Sequence, residues 1–260
     1  MPSLDARGVI AAVQLSVYVP IAIVTGWLVF RFSLRRDAGW LFLFIFTLCR
    51  EIDGILVVAG QTANPNVDLF TPAYTLQTAG LAPLMLAPLG FIGLVGRNTF
   101  SDTRQVSRTL KFLSVMGLVA LVFAIAGALL SSPVAPNHGA AGVVLSRVGA
   151  CTFAVLYLSI VLLHFVALSY RWHIKESRRR LLTGLFMALP FLGVRTAYAI
   201  LSAWSSSDLF GRQLSGNATL AAVNPVTGNY VYFLVLSVLC ELVVVFIYLI
   251  SSMPKTWRWR

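Results

Sequence analysis

The sequence predicts an all-α fold, a seven-helix transmembrane bundle forming a single membrane domain over residues 1–260. Three observations predict it. The chain is 58% hydrophobic and only 11% charged, against about 45–50% apolar and about 25% charged in a soluble domain. Its mean hydropathy is +0.83. Apolar runs of the roughly 20 residues needed to cross a bilayer recur along the whole chain. The basic residues also fall almost entirely on alternate connections. This composition excludes a soluble globular enzyme, a disordered chain and a secreted disulfide scaffold.

The spans are expected at 8–30, 39–60, 71–96, 112–131, 142–168, 181–204 and 229–250. The first is too long for a cleaved signal peptide, and the Arg7 before it is balanced by Asp5. Of the 20 Lys and Arg, 15 lie in the connections after spans 1, 3 and 5 and in the tail, and 2 (Arg7 and Arg212) on the opposite side. Basic residues collect on the cytoplasmic side. The N-terminus is therefore expected outside or in a lumen, and the C-terminus in the cytoplasm. The same rule accounts for the net charge of +11, so no nucleic-acid partner is implied. Asn217-Ala218-Thr219 is a glycosylation sequon in the connection before span 7, which that topology places outside. Asn217 is the expected glycosylation site, and Asn224–Gly228 reads as a turn. Trp40, Tyr170, Trp172 and Trp257 fall at inner ends and Tyr74, Trp204, Tyr230 and Tyr232 at outer ends, as interfacial belts do.

Ionisable side chains inside spans cost about 2.5–3.5 kcal/mol each and mark paired or functional sites. Six occur: Arg50, Glu51, Asp53, Arg147, Arg195 and Glu241. Arg147 is close enough to an outer end to snorkel. At about 1.5 Å per residue, the others lie about 16, 18, 21, 21 and 14 Å from the inner end, in one layer near the midplane. Depth pairs Arg50 with Glu241 and Asp53 with Arg195, leaving Glu51 as a spare carboxylate. Tyr230, Leu234, Ser237, Glu241, Val244 and Tyr248 form one helical stripe on span 7. Arg195, Tyr198 and Ser202 form another on span 6, and Thr47, Glu51 and Gly54 one on span 2. Such stripes turn inward. The layer is either a set of register-fixing pairs or a site. As a site, its ligand-binding candidates are Arg50, Arg195, Tyr198, Ser237 and Tyr248. Its acid–base candidates are Glu51, Asp53 and Glu241.

Other features are plainer. Cys49, Cys151 and Cys240 sit in apolar runs as small buried hydrophobes. His164 reads as a hydrogen-bonded core residue, and His138 and His173 as loop residues. Pro83, Pro88 and Pro190 are expected to kink their helices, and Gln77 is the one amide well inside span 3. No lysine lies in a span, which excludes a retinal Schiff base. There is no Asp-Asp-x-x-Asp run, P-loop or zinc motif, so neither a metal nor a cofactor is expected.

Gln14…Tyr18-x-Pro20, Gly39-Trp40, Arg50, Leu81-x-Pro83-Leu84, Leu89-Gly90, Leu189-Pro190-Phe191-Leu192-x-Val194-Arg195-x-x-Tyr198, Asn224-Pro225-x-x-Gly228 and Leu239-x-Glu241-x-x-Val244-Val245-x-Ile247-Tyr248 resemble a family of fungal seven-helix membrane proteins. That family is known only as a domain of unknown function. The resemblance covers nearly the whole chain and singles out Arg50, Arg195, Tyr198 and Glu241. The chain departs from the pattern at Glu51 and Asp53, where apolar residues are expected. The family implies fold and topology, together with an association with secondary metabolism. The layout is more distantly similar to fungal lipid-translocating exporters.

The expected function is binding or translocating a small, largely apolar or amphipathic molecule, a lipid or natural product, at the charged layer. The alternatives are a membrane-embedded acid–base cyclase or isomerase of terpenoid or polyketide biosynthesis and a structural partner of membrane enzymes. The bilayer itself is the other expected partner, in an endomembrane or the plasma membrane.

Overall fold

Where no water reaches the backbone, a spanning segment must satisfy its own N–H and C=O groups, and a long apolar run does so as a helix. The computed structural model describes residues 5–32, 38–62, 67–96, 104–132, 139–170, 172, 176–206 and 214–252. Helix α1 is Ala6–Phe32, α2 Ala38–Thr62, α3 Val67–Ala79, α4 Leu81–Val95, α5 Arg104–Leu130, α6 Gly139–Ser169, α7 Glu176–Ser205 and α8 the short Ala218–Ala222. Helix α9 runs Tyr230–Ser252. Among the described residues there is no strand, only an isolated bridge between Ser206 and Leu214.

Six stretches are long and apolar enough to cross a membrane: those on α1, on α3 and α4 together, and on α5, α6, α7 and α9. The one expected span outside this set, the second at 39–60, corresponds to α2. It has the length, 25 residues, but Arg50, Glu51 and Asp53 take it out of the apolar set. The chain thus has the make-up of a multi-pass membrane protein. His138, His173, Arg212 and the basic residues of the tail lie outside the described residues.

The third expected span is two helices. The chain breaks at Gly80, whose N–H still bonds the Leu76 carbonyl at 2.8 Å. Pro83 accounts for the position: it has no N–H for the Ala79 carbonyl, and it falls in the first turn of α4, where a missing N–H costs least. The α3–α4 stretch is 78% buried, far more than any other. Every residue of α4 from Leu81 to Leu89 is buried, the mark of a helix surrounded by others. Its neighbours are α2, α3, α5, α6 and α7. Gly90 allows a close crossing, since a Cβ there would stand 2.4 Å from the Gly39 backbone N of α2.

The outward faces are apolar. Val13, Ile23 and Phe30 on α1, Val122 on α5, and Leu158 and Leu162 on α6 are all exposed. Apolar exposure on this scale suits lipid and not water.

Candidate functional site

On α2 the buried residues Leu43, Phe46, Thr47, Arg50, Asp53 and Gly54 recur at helical spacing and form the inward face. Arg195 of α7 and Glu241 of α9 also point inward. Arg50, Arg195 and Glu241 are at most 3% exposed, and Asp53 is 6% exposed. Their connections are direct. Arg50 Nη2 donates to Glu241 Oε1 at 2.5 Å, and Arg50 Nη1 donates to Asp53 Oδ2 at 3.2 Å. Arg195 Nε donates to the same Glu241 oxygen. Both guanidinium groups also reach the backbone carbonyl of Gln77, at 3.4 Å from Arg50 and 3.5 Å from Arg195.

Three of the expected site residues therefore meet on one carboxylate oxygen, and Asp53 joins through Arg50. The depth argument for Arg50 with Glu241 matches this geometry. Its partner statement does not: Asp53 is bound to Arg50, and Arg195 goes to Glu241. The reason is local. Arg50 and Asp53 are three residues apart on one helix face and meet without any help from α7. Two arginines and two carboxylates leave the cluster formally neutral, which is what a low-dielectric interior demands.

Glu51 lies outside the cluster. It is half-buried, with no hydrogen-bond or ion-pair partner among the described residues. Its neighbours at helical spacing, Thr47 and Gly54, face α1: Thr47 Oγ1 stands 3.3 Å from Thr25 Oγ1, and Gly54 packs against Ala11 and Leu15.

The expected α9 stripe holds from Ser237 inward. Ser237, Glu241, Val244 and Tyr248 are all buried, whereas Tyr230 is 49% exposed. The cause is a π-helical stretch, Leu234–Leu239, directly before Glu241. Its wider turn shifts the helical phase, so residues N-terminal to it leave the stripe. Cys240 Sγ donates to the Val235 carbonyl across this stretch. Tyr248 packs edge-on against Phe91 at 5.8 Å between ring centroids, in the apolar core about two turns from Glu241.

Two cavities flank α3 next to the cluster, and Tyr74, Gln77 and Pro225 line both. The larger, about 100 Å³, lies between α3, α5, α6 and α7. Arg195 and Tyr198 line it, together with Leu81, Ala124, Ala150, Phe153 and Ala199 and the hydroxyl-bearing Thr78, Ser146 and Ser202. Tyr198 stacks near Arg195, whose Cζ is 5.8 Å from its ring centroid. The Tyr198 hydroxyl is buried without a hydrogen-bond partner. The smaller, about 40 Å³, lies between α1, α2 and α3 and reaches Asp53.

The Asn224–Gly228 turn forms as expected. Asn224 donates to Ser205 Oγ at 3.1 Å and accepts from the Val226 and Thr227 N–H groups. Arg7 Nη2 reaches the Gly228 carbonyl at 2.7 Å, so the turn closes over the same end of the bundle as the N-terminus of α1.

The remaining expectations divide plainly. His164 is fully buried with Nδ1 at 2.8 Å from the Ile160 carbonyl, a core arrangement. Arg147 reaches the Ala203 carbonyl at 3.4 Å and lies over Trp204 at the end of α7. Asn217 is exposed and caps α8, its side chain accepting from the Thr219 N–H and hydroxyl. Cys49, Cys151 and Cys240 are free thiols, but Cys151 is exposed. Among the described residues no group of His, Cys, Asp and Glu could hold a metal. Sequence reasoning gave no site role to Tyr18 of the Gln14…Tyr18-x-Pro20 motif, which is fully buried beside Phe46 on the helix facing Arg50. It also passed over the Gln77 carbonyl, for which a side-chain reading has no signal.

Residues 4–256 match DUF7702, a domain of unknown function, and the chain belongs to that family. No curated protein and no solved structure shows significant similarity to the chain.

Proposed function

We propose that this member of the DUF7702 family is a seven-span membrane protein that binds, and through binding translocates, a small, largely apolar molecule. The molecule is a lipid or natural product with its polar end turned to Arg195 and Tyr198. One observation carries the reading. The cavity of about 100 Å³ has a wall that is mostly apolar with scattered hydroxyls, and it touches the charged cluster at a single place. Ligand sites have this make-up, apolar walls with few oriented polar groups. The volume suits a small molecule or one end of a longer one. Tyr198 offers it a hydroxyl that has no partner in the protein.

Counting α2 as the seventh span follows from the pairing. Isolated charges oppose insertion, and Arg50 and Asp53 are neutralised inside the bundle. The basic connections put the N-terminus outside, and Ser206 and Val226 then line the cavity at the outer end of α7. The test is chemical. Protein purified in mild detergent is extracted with organic solvent, and the extract is compared by mass spectrometry with that of Ala199→Phe, which fills the cavity. A defined compound present at near-stoichiometric amount in wild type and lost in the variant supports the reading. Identical extracts refute it.

A further inference from the structure

The smaller cavity carries an inference of its own, independent of any ligand in the larger one. Four polar atoms on its lining residues are buried without a hydrogen-bond partner: Arg7 Nη1, Gln14 Nε2, Asp53 Oδ1 and Gln61 Oε1. Asp53 and Gln14 are each only 6% exposed. Leaving such groups unpaired in a protein interior is costly, so a native fold supplies partners.

The nature of the partner follows by elimination. Arg7 opposes a metal cation, and Asp53 opposes a free anion. The cavity, about 40 Å³, is too small for a zwitterionic organic molecule. Water fits on both counts. A water needs roughly 10–15 Å³ of such space and two to four polar partners, so two or three waters fit among two donors and two acceptors.

We propose that this cavity is a hydrated proton-exchange site, in which bound waters held by Arg7, Gln14 and Gln61 carry protons between the outer end of the bundle and Asp53. In the orientation proposed above, Arg7 stands at the outer end of this cavity, with its Nη2 on the Gly228 carbonyl at 2.7 Å. The step balances simply. A hydronium in the cavity gives its proton to Asp53 Oδ1 and remains as water; the carboxylate becomes a carboxylic acid, and no other bond changes. Asp53 Oδ2 is the atom bound to Arg50. Neutralising Asp53 leaves Glu241 as the sole carboxylate partner of Arg50, and so couples the outer proton concentration to the cluster that Arg195 shares. The charged and titratable groups facing Asp53 are Arg50 and Cys49 on its own helix, Arg7 on α1, Tyr74 on α3 and Glu241 on α9.

Two measurements test it on the full chain in lipid nanodiscs. In radiolytic water footprinting of wild type, hydroxyl radicals formed from bound water should oxidise Phe233, which lines this cavity and not the larger one. Met85 is intrinsically more reactive but sits fully buried in the apolar core, and should stay unmodified. Protection of Phe233 equal to that of Met85 would overturn the proposal. In an infrared pH titration, a carboxylic C=O band should grow on acidification. It should persist in Glu51→Gln and vanish in Asp53→Asn. Its shift in D₂O should be severalfold slower in Gln14→Leu/Gln61→Leu. A band indifferent to Asp53→Asn would overturn the proposal; should a variant fail to fold, the wild-type footprint still decides whether the cavity is wet.

Discussion

Arg50 and Glu241, 191 positions apart in the chain, meet at 2.5 Å in the interior of the bundle. The same carboxylate oxygen takes Arg195, while Arg50 keeps a second partner in Asp53. The two arginines are therefore unequal: Arg195 depends on Glu241 for its countercharge, and Arg50 does not.

That inequality predicts a double-mutant result. Removing one partner of a buried ion pair costs about 3–5 kcal/mol, mostly by stranding the other charge. Glu241→Leu should lose about that much stability, read as the temperature at which detergent-solubilised protein aggregates. Adding Arg195→Leu should recover much of the loss, because Arg50 and Asp53 remain paired. Adding Arg50→Leu should recover nothing, because Arg195 and Asp53 are then both stranded. Equal recovery by the two second substitutions would contradict the shared-oxygen geometry.

Glu51 should behave oppositely. With no partner among the described residues and a half-buried position on the α1 flank, Glu51→Gln should change stability by no more than about 0.5 kcal/mol. The check is the same aggregation assay, run beside Asp53→Asn, which should be clearly destabilised.

Much of this was legible in the sequence. Long apolar runs fix helices wherever lipid is the solvent. The cost of a buried charge forces Arg50, Arg195 and Glu241 together from distant segments. What was not legible depends on local helix geometry and on tertiary assembly, not on residue character. The π-helical stretch before Glu241 turns Tyr230 out of the stripe. That Arg50 and Asp53 share a helix face is plain from their i, i+3 spacing; a depth estimate does not weigh how that local contact competes with a partner on another helix. The polar residues lining the small cavity, Arg7, Gln14 and Gln61, are ordinary in sequence and become notable only when brought together.

Helix crossing at Gly90 offers a test of the packing. A Cβ there would stand 2.4 Å from the backbone of Gly39, so α2 and α4 must separate to admit it. Gly90→Ala should cost about 1–3 kcal/mol by overpacking. Scanning calorimetry of the detergent-solubilised protein should record a lower Tm.

Topology has its own readout. Asn217 is exposed at the N-cap of α8. If the basic connections are cytoplasmic, it faces the lumen during synthesis in a secretory system. Endoglycosidase should then shift the wild-type band and leave Asn217→Gln unmoved. An unshifted wild type in such a system would contradict the proposed orientation.

The most direct test of the ligand reading is a high-resolution electron cryomicroscopy map of the protein bound to an antibody fragment and purified without added ligand. The account predicts non-protein density in the cavity between α3, α5, α6 and α7, with its polar end within hydrogen-bonding distance of the Tyr198 hydroxyl and Arg195. Ala199→Phe should abolish that density while the contacts of Arg50 and Arg195 with Glu241 persist. A well-resolved wild-type map holding only water in that cavity would contradict it.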